Sequence, residues 1–234
     1  HFLRSKKIEQ DTTWQNELPI VLIDSCIVRP GNTLTIKEGT HIYVHANSPF
    51  IVQGTLIIEG QKNNEVIFRG DRLDEYYKDI PGSWLGIEFT GESQNNIIRY
   101  AIIKNAQNGL RLFEKTNTGT NAVLTLHQSI IDNALVAGVY STNSSMHADN
   151  SLISNCGQCV VIEKGGDYQF DHCTLVSYST DYQFHNKPTL SLSNSAFENN
   201  TNTTANLHAL LQNCMIWGDG GIGNNEVELL KQDA

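Results

Sequence analysis

Three side chains able to do chemistry, His127, Asp149 and Asp171, recur at 22-residue intervals, and His172 follows the last of them. If that interval is one turn of a wound chain, Asp149 and Asp171 become near neighbours with His127 and His172 on their flanks. Two adjacent carboxylates repel unless a cation, a shared proton or ligand donors intervene. The chemistry on offer is therefore binding of a sugar or of a cation such as calcium. The alternative is a solvated corner whose side chains diverge. A second group lies in one irregular segment, with Asp71, Arg72, Asp74, Glu75, Tyr76, Tyr77 and Asp79 backed by Trp84. Aromatic faces stack on the C–H surface of a sugar, and carboxylates accept its hydroxyl protons. The same loop would serve equally as a lid packing its tyrosines over a sheet.

The elements that position these residues are written as a repeat. Ile103, Ile131, Ile153, Leu175, Phe197 and, more loosely, Ile216 follow one another at intervals of 28, 22, 22, 22 and 19 residues. Two positions before each stands a small residue: Ala101, Ser129, Ser151, Cys173, Ser195 and Cys214. Two positions after stand Asn105, Asn133, Asn155, Ser177, Asn199 and Gly218, and five before stand Ile98, Leu126, Ala148, Phe170, Leu192 and Leu211. Alternation at period two, interrupted by a bend, describes two short strands per repeat. Repeats of this length build solenoids. The leucines and helical back of a leucine-rich repeat are missing, as is the 3.6-residue period of helical repeats. The expected fold is all-β, a right-handed parallel β-helix of three short strands per coil, with an Asn ladder at one corner. Asn tolerates left-handed backbone, and stacked amides can bond from coil to coil. The bend itself carries Arg99, His127, Asp149, Asp171 and Ser193, followed by Tyr100, Gln128, Asn150, His172 and Asn194.

"GNTLTIKEGTHIYV", "SPFIVQGTLIIEG" and "NEVIFRG" continue the pattern upstream as alternating strands with Gly corners, and "GSWLGIEF" resumes it after the irregular segment. One domain is expected over 1–234. It comprises a lead-in at 1–17, shorter coils over 18–94 with a projecting loop at 70–82, and regular coils over 95–234. "NNEVELLKQDA" offers a strand but no amphipathic helix to cover a solenoid end, so further coils, a neighbouring subunit or another domain of the same chain are expected there.

Composition narrows the partners. With 25 acidic against 16 basic residues the net charge is −9, which argues against nucleic acid, since phosphates need a basic surface. No run approaches the roughly 18 consecutive apolar residues of a membrane span. Five cysteines include one C-x-x-C, Cys156 and Cys159, without a second pair. A structural zinc site needs four ligands, so the thiols are read as buried and stacked. No cofactor is expected.

"TLTIKEGTHIYVHANSPFIVQGTLIIEG", "VIFRGDRLDE", "GSWLGIEF" and "NNIIRYAIIKNAQNGLRL" resemble uncharacterised right-handed β-helix proteins exported by Gram-negative bacteria, several of them similar to surface lipoproteins. The resemblance runs from about Asp11 to Trp217. It implies export to the periplasm or cell surface, a lipid anchor on a preceding segment, an N-terminal β-sandwich and further chain beyond Ala234. It implies no activity.

Many β-helices cleave or bind polysaccharide. The paired Asp residues and Arg-Ile-Lys signature of pectin hydrolases are missing. After Lys115 the basic residues are Lys164, Lys187 and Lys231, too few to provide a lyase base. The expected role is non-catalytic, as a glycan-binding or assembly scaffold. A polysaccharide lyase or glycoside hydrolase and a structural spacer are the alternatives.

Overall fold

A computed structural model describes residues 1–116, 119, 121–198, 200–219 and 225–233. Its main element is a 22-stranded wound sheet with parallel pairing throughout, each strand bonded to the strands one coil before and after it. Three faces enclose one core. The first face stacks Thr12–Trp14, Thr33–Lys37, Thr55–Glu59, Asn96–Arg99 and Leu124–His127, then 144–149, 166–171 and Leu207–Gln212. The second face runs through His41–Val44, Val66–Gly70, Ala101–Lys104, Ile130–Asp132, Leu152–Ser154, Thr174–Ser177 and Met215–Gly218. The third runs through Phe50–Val52, Ile87–Phe89 and Asn108–Leu112, then 137–142 and 158–162, to Leu190–Ser193 and Val227–Leu230.

Alternation builds the core. Along Thr33–Lys37 every second residue is buried, and register places like positions above one another. Trp14, Ile36, Ile58, Ile98, Leu126, Ala148 and Phe170 form one internal column. Phe68, Ile103, Ile131, Ile153 and Leu175 form another. Phe50 meets Phe68 edge-on at 5.6 Å, and Phe68 stacks on Trp84 at 6.2 Å.

The corners explain the polar columns. Tyr100, Gln128, Asn150, His172 and Asn213 all take positive φ between the first and second faces, and Asn105, Asn133 and Asn155 do so between the second and third. Single left-handed residues turn the chain sharply, and Asn accepts this backbone more readily than most side chains. The small column satisfies the backbone just past the first corner. The Ala101 N–H donates to Ser129 Oγ at 3.1 Å, and the Ser129 N–H donates to Ser151 Oγ at 3.2 Å.

Three expectations are corrected. Residues 1–17 are no lead-in: Phe2–Ile8 pairs with Ile20–Val28, and Thr12–Trp14 with Thr33–Lys37, so they form a coil. The upstream coils are not shorter, since the register partners Lys37 and Glu59 are 22 residues apart. Phe197 is not in the stack. Ser195–Glu198 and Thr201–Thr204 form an antiparallel hairpin, and Phe197 is 72% exposed. Leu175 stacks on Ile216 instead, Leu192 and Ser193 belong to the third face, and the bend column ends on Gln212. Asn199 lies outside the described residues.

Candidate functional site

The bend column runs Lys37, Glu59, Arg99, His127, Asp149, Asp171, Gln212 in successive register. Asp149 and Asp171 are neighbours, yet each is turned toward a histidine. His127 Nδ1 lies 2.5 Å from Asp149 Oδ2, and His147 Nε2 lies 3.1 Å from Asp171 Oδ2. Because a carboxylate only accepts, the imidazole N–H is the donor in both. Gln169 Nε2 adds a bond to Asp171 Oδ2 at 2.7 Å, and Asn150 Nδ2 donates to Asp149 Oδ1 at 3.2 Å. His172 does not flank the carboxylates: its Nε2 faces Asn213 Nδ2 at 3.2 Å. His147 takes that place, two residues before Asp149 on the same strand face, a relation set by period-two alternation. The geometry stitches neighbouring coils together. Among the described residues no group of three or more His, Cys, Asp or Glu side chains is arranged to hold a metal ion.

The projecting loop is held at its returning limb by the second corner. Asn105 Nδ2 and Arg69 Nη2 both donate to the Lys78 carbonyl at 2.6 Å, and Asn133 Nδ2 donates to the Asp79 carbonyl at 2.8 Å. At the outgoing limb His45 Nδ1 meets Asp71 Oδ2 at 2.7 Å, and Arg72 Nε donates to Asp74 Oδ2 at 3.0 Å. The Arg72 guanidinium lies over the Tyr77 ring at 3.9 Å, and Tyr76 meets Tyr77 edge-on at 4.9 Å. Tyr76 is 73% exposed, so the tyrosines face solvent and do not pack as a lid. Trp84 is the correction here. It is fully buried, with Nε1 donating to the Lys104 carbonyl at 2.8 Å, and has no face to offer a ligand.

A cleft that the sequence did not announce opens between this loop and a second one, residues 178–189, from the same corner. It has a volume of about 280 Å³. Its floor is the outward side of the second face, where Lys104 Nζ lies 3.5 Å from Asp132 Oδ2. Asp132 Oδ1 accepts from Ser154 Oγ at 2.8 Å and Asn155 Nδ2 at 3.0 Å. Asp79 stands on one wall, and Thr180, Asp181 and Tyr182 on the other. The carboxylates of Asp79 and Asp181 have no hydrogen-bond or ion-pair partner among the described residues. Gln183 Nε2 anchors the second loop on the Leu135 carbonyl at 2.9 Å. That passage needs Gly157, whose hypothetical Cβ would sit 2.6 Å from the same oxygen. The available signal was opposite charge at one repeat position, Lys104 and Asp132, in successive coils.

All five thiols are free. Burial pushes Cys26 and Cys156 up to about 12 and Cys173 to about 11, and raises Cys159 well above its ordinary value. Thiols held protonated are poor nucleophiles and poor metal ligands. His185, also buried, ties the second loop to the last coil through Glu226, at 2.9 Å.

A wound parallel sheet of stacked short strands around one apolar core defines a parallel β-helix. A family model described as a right-handed β-helix region matches residues 9–175, and the chain belongs to that family. No curated protein and no solved structure matches it. No helix among the described residues is long and apolar enough to cross a membrane.

Proposed function

We propose that the chain is the non-catalytic, glycan-binding part of an exported protein, lipid-anchored at the cell surface or in the periplasm, and that it grips a saccharide in the cleft between its two loops. The placement outside the cytoplasm rests on the resemblance to exported β-helix proteins. The binding role rests on one observation: Tyr182, 54% exposed, stands with the carboxylates of Asp79 and Asp181, free of hydrogen bonds and ion pairs among the described residues, around the Lys104–Asp132 floor. An aromatic face with several carboxylates and amides suits a polyhydroxylated ring, which offers C–H surface to the first and hydroxyl donors to the second. The two loops are pinned to a rigid stack, so little ordering cost would accompany binding.

A glycan array, followed by calorimetry on the hits, tests this. Tyr182→Ala is expected to weaken the best hit at least tenfold while leaving the melting temperature within about 2 °C, as for a surface substitution. Release of unsaturated or reducing ends from the hit would replace the reading with a lyase or hydrolase. An array without hits would leave the spacer, and affinity indifferent to Tyr182 would place the saccharide outside the loop cleft.

A further inference from the structure

The charged groups of the bend column find hydrogen-bond or ion-pair partners within the stack, with one exception. Lys37 Nζ is bonded to Glu59, His127 to Asp149, and His147 to Asp171. Arg99, between Glu59 and His127 in register, has no hydrogen-bond or ion-pair partner for its guanidinium among the described residues. It borders a groove of about 880 Å³ along the first corner, on the far edge of the second face from the loop cleft.

The rest of that groove is unusually provided with unused amides. Gln15, Asn16, Gln61 and Asn64 line it, and none has a side-chain hydrogen bond among the described residues. Asn16 and Asn64 converge over the left-handed turn at Gly39: a Cβ there would fall 2.6 Å from Asn16 Nδ2 and 2.5 Å from Asn64 Oδ1. Gly60 likewise lets the Tyr100 carbonyl approach, to 2.0 Å from a hypothetical Cβ. Tyr100, half-exposed, lines the groove next to Arg99 and adds an aromatic ring to it.

We propose that this groove is a second binding site, separate from the loop cleft, and that it takes an acidic saccharide. Arg99 would hold the oxyanion. A guanidinium offers a planar pair of donors that matches a carboxylate or sulfate ester and stays charged at any physiological pH. The amides supply both donors and acceptors for ring hydroxyls. Glu38 sets the selectivity, because it repels a densely charged polyanion and admits a ligand whose acid group is placed at Arg99.

The site is tested by titrating the protein calorimetrically with three probes: a galacturonate trisaccharide, its fully methyl-esterified neutral form, and a sulfated neutral trisaccharide. The uronate or the sulfated sugar is expected to bind at least tenfold more tightly than the neutral form. Whichever binds identifies the source of the oxyanion. Arg99→Gln should abolish that preference and Arg99→Lys should restore part of it, while Tyr182→Ala leaves it intact. Equal affinity for all three probes, no binding of either acid, or a preference indifferent to Arg99→Gln would overturn the proposal. A preference lost with Tyr182→Ala would overturn it too, since the acid would then be bound in the loop cleft.

Discussion

Asn133 donates its side-chain amide to Asn105 Oδ1, one coil earlier, at 2.9 Å. Both residues hold left-handed backbone, and both spend remaining amide hydrogens on the projecting loop, at the carbonyls of Asp79 and Lys78. One column thus does two jobs: it turns the chain and it fastens the wall of the loop cleft. Asn155 departs from the ladder and donates to Asp132 Oδ1 in the floor of that cleft.

Removing the fastening should free the loop without unwinding the coil. Asn105→Gly keeps the turn and loses the amide, at a cost of about 0.5–1.5 kcal/mol for a hydrogen bond whose carbonyl keeps Arg69 as a donor. Asn105→Ala adds roughly 1–2 kcal/mol for left-handed backbone. Limited proteolysis should cut both variants within 71–80 faster than the wild type. Equal cutting rates would mean that the loop is held elsewhere.

The core column separates real coils from apparent ones. Ile153 is 1% exposed, between Ile131 and Leu175, so Ile153→Asp should cost several kcal/mol by burying an unpaired carboxylate. Phe197→Asp should change stability by no more than about 0.5 kcal/mol, as surface substitutions do. A chemical-denaturation series on both variants checks the contrast, and similar losses in the two would refute the register.

Why the sequence misleads at Phe197 follows from the same comparison. "SAFENN" and "SLISNC" share small–apolar–apolar–polar–Asn because any short strand ending in a tight turn alternates in this way. Local alternation does not say which strand lies alongside, and here it is Thr201–Thr204 of the same hairpin. The coils at Ile103, Ile131, Ile153 and Leu175 were legible because small column, core column and Asn or Ser corner agreed four times over. Trp84 was misread because an aromatic next to an acidic loop has no periodicity to show which way it points. Tyr182 was missed because the second loop belongs to no repeat at all.

At the corner that follows the third face, Glu114 joins three coils. It lies 2.8 Å from Lys164 Nζ and accepts from Asn143 Nδ2 at 2.9 Å. The Lys164 ammonium, and then the Asn143 amide, hold its carboxyl below the ordinary 4.5. A depressed folded value means that the contribution is present above the ordinary value and is lost as pH falls through the folded one. The gap in melting temperature between wild type and Glu114→Gln should therefore be constant near neutrality and close below about pH 4.5. A gap unchanged at pH 3 would show that the charge contributes nothing.

The last prediction concerns the two carboxylates at the bend. Were they a free pair, a cation would stabilise them and removing their charge would help the fold. The histidine contacts give the opposite expectation, because truncating Asp149 or Asp171 leaves His127 or His147 without its acceptor. A double-mutant cycle of His127→Ala with Asp149→Ala should show a favourable coupling of about 0.5–1 kcal/mol, the range for partly exposed pairs in contact. Calcium should raise the melting temperature of neither wild type nor variants. Zero coupling would mean that the side chains diverge in solution. A calcium-induced rise confined to the wild type would mean that Asp149 and Asp171 face each other across a cation, with the imidazoles displaced.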